Sequence, residues 1–179
     1  MNYIKTWSNN ILKIDSIYKM NVSNSFEIPE IKNITLNICS RSIIEDPKTV
    51  LYSITALKLI TNQKPITCKA KKSVAVFKLR KGVLVGAKVT LRKKEVYNFL
   101  TLFILLILPN MKEFKPCKVN NSASLSIGIK DLLVFPQLSN YYDKFPKNIS
   151  GIININLSKK NPNLSNILLT GYQIPMSTK

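Results

Sequence analysis

The sequence predicts an α+β fold, with a largely antiparallel sheet and helices packed on one of its faces. Three segments alternate apolar and polar residues with the two-residue period of a half-buried strand: 31–39, 87–92 and 152–158. The first 20 residues instead repeat their apolar positions at helical spacing. Because strands and helices do not alternate regularly along the chain, a doubly wound parallel sheet is not expected.

The other elements follow from where these patterns begin and end. Asp46-Pro47 predicts the start of a helix that runs through Ile60, because acids and proline both suit a first helical turn. The segment SVAVFKLR (73–80) alternates as a strand, as does 66–71, whereas two glycines in KGVLVG (81–86) predict a loop. The remaining elements are an apolar helix at 95–108 and a short helix at 164–169. Between them, residues 125–138 predict a strand, a turn and a further short element.

The length of 179 residues suits one domain with a buried core. We expect an N-terminal helical arm at 1–25, a single α+β domain at 26–170 and a loose C-terminal tail at 171–179. The longest apolar run, Phe99 to Leu108, is well short of the roughly 20 residues that a membrane-spanning helix needs. Membrane insertion is therefore not expected.

Positive charge is the most unusual property of the chain. It has 27 basic and nine acidic residues, a formal net charge of +18 and a pI near 9.9. Between Asp46 and Glu95 there are 13 basic residues and no acid. Such an excess causes self-repulsion in the folded state, which favours a polyanionic partner. Nucleic acid is the first candidate, and an anionic membrane surface is the second.

The basic residues take alternating positions on a predicted strand. In AKVTLR (87–92), Lys88, Thr90 and Arg92 share one face, while Val89 and Leu91 share the other. A sheet with an apolar back and a cationic front is a suitable platform for a phosphate backbone. The alternative is a merely solvated surface, but such a surface usually mixes charges of both signs.

The composition argues against catalysis and metal binding. The chain has no histidine, which removes the commonest general base and the usual nucleophile–histidine pairs. Its three cysteines, Cys39, Cys68 and Cys117, are far apart and have no zinc-site spacing. The adjacent acids Glu45 and Asp46 are better explained as a helix start. We therefore expect neither an enzyme nor a bound metal or cofactor.

Motifs across about residues 26–160 resemble a known family. The stretch KAKKSVAVFKLRKGVLVGAKVTLR closely resembles the signature region of the universal large-subunit ribosomal protein five, the 5S rRNA-binding protein of the central protuberance. Further matches occur in the same order: IPEIKNITLNI, ITNQKPI, FLTLFILLILP, GIKDLLVFPQL and YDKFPKNISGIININLSKK. The richness in Asn, Ile and Lys is typical of an AT-rich organelle genome, so we expect a mitochondrial version that resides in the matrix as part of the mitochondrial ribosome.

The resemblance implies which residues contact rRNA. Polar residues on the sheet face are implied by the ITLN, Gln-Lys-Pro and Thr-Leu-Arg motifs, and the basic stretch before the loop extends the same surface. These residues are Thr35, Asn37, Gln63, Lys64, Thr67, Lys69, Lys71, Lys72, Thr90 and Arg92.

A second implied contact is a loop, Phe77 to Gly86, that resembles the one reaching the elbow of the P-site tRNA. Its cations Lys78, Arg80 and Lys81 are suited to phosphates, and Gly82 and Gly86 give the backbone freedom to approach RNA. For Phe77 two roles are open: stacking on a base, or anchoring the loop by hydrophobic contact.

The resemblance also implies the partners. They are 5S rRNA where the ribosome has it, large-subunit rRNA, P-site tRNA, neighbouring central-protuberance proteins and a small-subunit head protein that shares a bridge. A homo-oligomer is not expected. The rival interpretations are a free-standing basic RNA-binding or RNA chaperone factor of an organelle, and a basic protein of a membrane surface.

Three departures from the family pattern affect the expected contacts. The segment after Pro109 is shorter and lacks the family's glycine-rich motif, and the acidic final helix is missing. In the apolar helix, Thr101 and Leu102 replace charged residues, which suggests an additional face that packs against a neighbouring protein.

Overall fold

The computed structural model of the chain describes residues 3–20, 24–39, 46, 48–111, 116–117, 119–120, 123–145, 149–159 and 161–177. In these ranges the helices are α1 (Tyr3–Trp7), α2 (Lys13–Met20), α3 (Thr49–Thr61), α4 (Lys94–Leu102), α5 (Leu108–Asn110), α6 (Pro136–Ser139) and α7 (Pro162–Gly171). Two π-helical segments connect helices directly: Ser8–Leu12 joins α1 to α2, and Phe103–Ile107 joins α4 to α5.

The strands form one sheet. They are β1 (Ile31–Cys39), β2 (Ile66–Lys69), β3 (Leu84–Arg92), β4 (Val119–Asn120), β5 (Ser124–Ile129) and β6 (Gly151–Leu157), hydrogen bonded in the order β2-β3-β1-β6-β5-β4. The outer pairs, β2 with β3 and β4 with β5, are antiparallel. The predicted α+β class with an antiparallel sheet is confirmed.

The chain divides into two compact units. The first unit comprises Met1–Ile34, Leu91–Ile127 and Asn154–Lys179, and the second unit comprises Thr35–Thr90 and Gly128–Ile153. In the second unit, Leu57 and Ile60 of α3 lie with β-strand residues such as Ile38 around a gap of only about 10 Å³. Interiors of this density keep each strand in a fixed register, because a shift would leave unfilled volume.

The first unit is built around the apolar helix and the C-terminal segment. Phe99 and Phe103 stack with ring centroids 6.1 Å apart, and Phe103 is completely buried. The buried hydroxyl of Tyr172 donates a hydrogen bond to Ser8 Oγ at 2.7 Å. Burial raises the pKa of Tyr172 to about 12. Tyr172 therefore joins the C-terminal segment to the N-terminal helices.

The prediction of a loose C-terminal tail is wrong for residues 172–177. Tyr172 and Ile174 are buried. The backbone of Cys117 pairs with this segment, since its N–H donates to Pro175 O at 3.1 Å and its carbonyl accepts from Ser177 N–H at 2.9 Å. Three apolar side chains in the nine residues of the predicted tail are too weak a pattern to predict this packing.

The predicted strand at 73–80 is also wrong. Val74 and Leu79 exchange backbone hydrogen bonds of 3.0 and 3.1 Å, so the segment turns back on itself. A 3₁₀ turn (Ala75–Phe77) and Lys78 in the left-handed region (φ 52°) complete the reversal. The alternation in this segment does not separate a buried face from a solvated one, because Val76 is itself exposed.

Two helix ends differ from the prediction. Helix α3 begins at Thr49, whose N–H and hydroxyl both donate to the carbonyl of Asp46, at 3.0 and 2.6 Å. It ends at Thr61, and the next residue, Asn62, is in the left-handed region. Glu45 and Pro47 lie outside the described residues. The apolar helix continues through Asn110, beyond the predicted end.

Two strand glycines provide a matched test of this packing. A Cβ atom on Gly86 would collide with the backbone carbonyl oxygen of Ile38, whereas one on Gly128 would meet nothing within 4 Å. We expect Gly86→Ala to lower the free energy of unfolding by about 1–3 kcal/mol, and Gly128→Ala to change it by less than about 0.5 kcal/mol. Denaturant unfolding followed by circular dichroism measures both, and equal changes would contradict the close approach at Gly86.

Candidate nucleic-acid interface

Strand β3 separates apolar from cationic side chains as the sequence predicts. Its alternate residues Ala87, Val89 and Leu91 are buried, and each is at most 3% exposed. Lys88 and Arg92 are exposed on the opposite face, and Thr90 between them is half-buried. The strand therefore places two cations and a hydroxyl on its solvent side.

The pairing of β2 with β3 corrects the face on which Thr67 was expected, while its contact with rRNA stays a prediction. Ile66 lies opposite Lys88, and Thr67 lies opposite Ala87. Residues directly opposite one another in an antiparallel pair project from the same face. Thr67 therefore shares the face of Ala87, and the expectation that it extends the face of Thr90 is wrong, although Thr67 is exposed at the edge of the sheet. The face of Lys88 carries Ile66 instead.

A register shift lies between Cys68 and Lys69, so Lys69 pairs with Leu84. Lys69 is exposed, and it is the last residue of β2 before the chain leaves the sheet. In β2 only Cys68 is partly buried, so this edge strand has no clear alternation of apolar and polar residues. The sequence could therefore not predict the register shift or the face on which Ile66 lies.

Strand β1 presents two of the predicted polar contacts. Thr35 and Asn37 are half-buried and alternate with the buried residues Leu36 and Ile38. Within the described ranges, neither Thr35 nor Asn37 makes a side-chain hydrogen bond to protein. Their donors and acceptors remain available to a ligand, and Asn37 offers both kinds.

The predicted Gln-Lys-Pro contact lies at the turn from α3 to β2. The backbone N–H of Gln63 donates to Thr61 Oγ1 at 3.3 Å, directly after the left-handed Asn62. The side chain of Gln63 is half-buried, and Lys64 is exposed. The end of α3 thus fixes the backbone from which these two side chains extend.

The loop between β2 and β3 comprises residues 70–83, and we call it the basic loop. The Ala70 N–H donates to Val83 O at 2.8 Å, and the Gly82 N–H donates to Ala70 O at 3.0 Å. Gly82 has a φ of 91°, which favours glycine. The Lys81 N–H donates to Ser73 Oγ at 3.0 Å. Backbone hydrogen bonds therefore give the basic loop a defined conformation.

These bounds correct the predicted loop at 77–86. It begins seven residues earlier, at Ala70, and ends before Leu84, where β3 starts. Gly86 is consequently part of a strand. Its lack of a side chain makes room for the Ile38 carbonyl and does not serve to make a loop flexible. The sequence signal for a glycine-rich turn is correct for Gly82 alone.

The basic loop carries exposed cations together with exposed apolar side chains. Val76 is 85% exposed and Phe77 is 56% exposed. Phe77 is therefore more than half exposed, and its two expected roles, stacking and hydrophobic anchoring, both stay predictions. The exposed cations of the loop are Lys71, Lys72, Lys78, Arg80 and Lys81.

The cations of the acid-free segment have no carboxylate partner in the described part of the chain. The ion pairs there join Lys13 to Glu30 at 2.7 Å and Lys19 to Asp15 at 2.6 Å, both outside residues 47–94. Unpaired cations on one sheet edge and its loop produce a local positive potential. Phosphate groups would be attracted to it, with an affinity that falls as salt rises.

Two other classes of site are missing from the described residues. No cluster of His, Cys, Asp or Glu among them has an arrangement that could hold a metal ion. No helix built from them is long and apolar enough to cross a bilayer.

Fold and charge together define a basic α+β protein with a surface for polyanions. Sequence comparison agrees: a model of the family described as Ribosomal protein L5 matches residues 24–80, and a model of the C-terminal region of the same ribosomal family matches 84–176. The chain is also 40% identical over 182 residues to the Large ribosomal subunit protein uL5m of Reclinomonas americana, with all of both chains covered. The chain belongs to the ribosomal protein L5 family.

Membership assigns the general role. The protein is a structural, non-enzymatic component of the large ribosomal subunit, and rRNA binding is typical of its family. The residues between the two matched regions, 81–83, lie in the basic loop.

The exposure of Phe77 leads to a stability prediction. Phe77→Ala should change the free energy of unfolding by less than about 0.5 kcal/mol, because a mainly solvated ring loses little burial. Phe103→Ala is the matched control and should cost about 3–5 kcal/mol, since that ring is fully buried. Chemical denaturation of the two purified variants measures both changes. If Phe77→Ala were as destabilising as Phe103→Ala, the exposed position of Phe77 in the basic loop would be wrong.

Proposed function

We propose that the protein binds 5S rRNA, large-subunit rRNA or both in the central protuberance, through the polar face of β1 and β3 and the cations beside it. The observation that carries this proposal is the stretch from 47 to 94, which has 13 basic residues and no acid. Exposed cations such as Lys88 and Arg92 would neutralise phosphates by releasing counterions.

The polar, uncharged side chains would supply the shape-dependent part of the binding. Thr35, Asn37 and Thr90 are half-buried, so each lies on a strand of the sheet while part of the residue remains accessible. Hydroxyl and amide groups in such positions suit ribose 2′-hydroxyls and base edges. Gln63 and Lys64 would extend the contact from the end of α3.

The basic loop would contact the P-site tRNA. Its internal hydrogen bonds fix the backbone, so binding would not require much further ordering of the chain. Lys78, Arg80 and Lys81 would contact phosphates, while the exposed ring of Phe77 would stack on an unpaired base.

The proposed location is the matrix of the mitochondrion, within the mitochondrial ribosome. The relative from Reclinomonas americana is a mitochondrial ribosomal protein, which supports this location. Neighbouring proteins of the central protuberance and a small-subunit head protein that shares a bridge would be the protein partners.

Co-sedimentation tests the proposal against a free-standing RNA-binding factor. The protein should be present in stoichiometric amount in purified large subunits, and it should remain there after a moderate-salt wash, because a bound ribosomal component has many simultaneous contacts. Quantitative immunoblotting of gradient fractions measures this. A predominantly free pool would favour the free factor, and a lipid-bound pool would favour a membrane-surface protein.

Neutralising the basic loop should weaken tRNA positioning more than subunit assembly. The variant Lys78→Asn, Arg80→Gln, Lys81→Gln removes three charges, and asparagine tolerates the left-handed backbone at 78. We expect lower P-site tRNA occupancy, measured by filter binding to purified ribosomes, with near-normal incorporation into large subunits.

The control removes equal charge from exposed lysines outside the basic loop: Lys5→Gln, Lys32→Gln, Lys94→Gln. It should leave tRNA occupancy close to that of the wild type. Unchanged occupancy in the loop variant, or an equal loss in the control, would count against a tRNA contact by the loop.

A further inference from the structure

The first unit contains a groove of about 310 Å³, which we call the Trp7 groove. Its lining comes from three parts of the chain: α1, the apolar helix at residues 101–105, and the end of α7 with the two residues after it. The volume is at the lower end of the range of about 300–1,000 Å³ in which proteins bind ligands. The groove therefore admits a few side chains rather than a large molecule.

Two irregular features of the backbone accompany the Trp7 groove. The helices that line it adjoin or include the π-helical segments Ser8–Leu12 and Phe103–Ile107, and such segments are frequent at functional sites. At the end of α7, a Cβ on Gly171 would lie 2.6 Å from Leu12 Cδ2, so the side chain of Leu12 would have to move. The missing side chain at Gly171 thus lets α7 lie close to the N-terminal helices beside the groove.

The Trp7 groove exposes large apolar side chains. Tyr3 is 73% exposed and Leu105 is 65% exposed. Trp7 is half-buried and stacks on Tyr3, with ring centroids 6.4 Å apart. The sequence suggested an additional apolar face at Thr101 and Leu102, and of these two residues Thr101 lines the groove. Tyrosine and tryptophan are enriched in protein–protein interfaces, so the lining has the composition of an interface.

The charge of the Trp7 groove decides between the classes of occupant. Among the described residues, none that lines it carries a charge, although the whole chain has a net charge of +18. The neighbours of a large-subunit component are rRNA and other proteins, and a groove without cations does not attract phosphates. A second copy of this chain is disfavoured as well, because two molecules of such high positive charge repel each other. An uncharged apolar segment of a different protein matches the groove.

We propose that the Trp7 groove holds an amphipathic helix of another protein of the large subunit. The aliphatic side chains on one face of that helix lie against Tyr3, Trp7 and Leu105, as in other complexes in which a helix binds an apolar groove. Gln173, which is exposed and also lines the groove, offers an amide for hydrogen bonds with polar atoms of the same helix. This inference requires only that the protein is part of the large subunit, and it does not depend on the proposed rRNA and tRNA contacts.

Photochemical crosslinking provides the first test. A benzoylphenylalanine in place of Leu105 puts a photoreactive group in the groove, at a position exposed enough to tolerate it. Irradiation of purified large subunits should give a crosslink to one other protein, which survives nuclease and is removed by protease. Mass spectrometry of the crosslinked peptide should identify an amphipathic helical segment whose apolar face carries no charge. The same group in place of Val76, which is 85% exposed in the basic loop, is the control and should not crosslink to that protein.

A charge placed in the Trp7 groove provides the second test. Leu105→Glu should lower the amount of the crosslinked partner in salt-washed large subunits at least about fivefold, because docking would bury an unpaired carboxylate. The variant chain itself should remain in stoichiometric amount. The control, Leu51→Glu, makes the same change at a leucine of the second unit that is 62% exposed, and it should retain the partner. Quantitative mass spectrometry of the purified subunits measures both proteins.

Four results would overturn the inference. A crosslink from residue 105 to rRNA would identify RNA as the occupant, and one to a second copy of this chain would identify a homo-oligomer. Absence of any crosslink would show an uncovered groove. Equal amounts of the partner in Leu105→Glu and Leu51→Glu would show that it is held elsewhere. Each of these results would leave the proposed rRNA and tRNA contacts intact, because neither measurement depends on them.

Discussion

The register of β3 is the constraint on which the interface depends. Because side chains alternate along a strand, a shift of one residue would exchange Lys88, Thr90 and Arg92 with Val89 and Leu91. Burying two cations without partners would be far more costly than leaving apolar residues in solvent. Gly86 helps to fix this register, since only a residue without a side chain fits against the carbonyl of Ile38. Packing in the core therefore determines where the positive charge lies.

A fixed strand also defines the start of the basic loop. The hydrogen bonds from Ala70 N–H to Val83 O and from Gly82 N–H to Ala70 O continue from the β2–β3 pair, so the loop extends from a rigid base rather than from a flexible linker. The proposed function assigns the cations of the strand to rRNA and those of the loop to the P-site tRNA.

Much of the fold could be predicted from the sequence, because its strands bury one face and so show clear alternation. Strand β1 and the cationic face of β3 are examples. The prediction failed where burial was not the cause of the pattern. Val74 and Val76 alternate with small or polar residues although neither is buried. The side of the sheet on which Thr67 lies is set by the pairing of β2 with β3, and the residues around Thr67 do not indicate that pairing. The grouping of Asn37 with Gly128 and Ile152 requires three strands that are distant in sequence, so only the folded chain reveals it.

The central claim is that the cationic face of β3 lies against ribonucleic acid. A density map of the intact large subunit tests it most directly. The account predicts a ribose-phosphate chain within hydrogen-bonding distance of Lys88, Thr90 and Arg92. Side chains of these residues directed into solvent, with no RNA nearby, would contradict it.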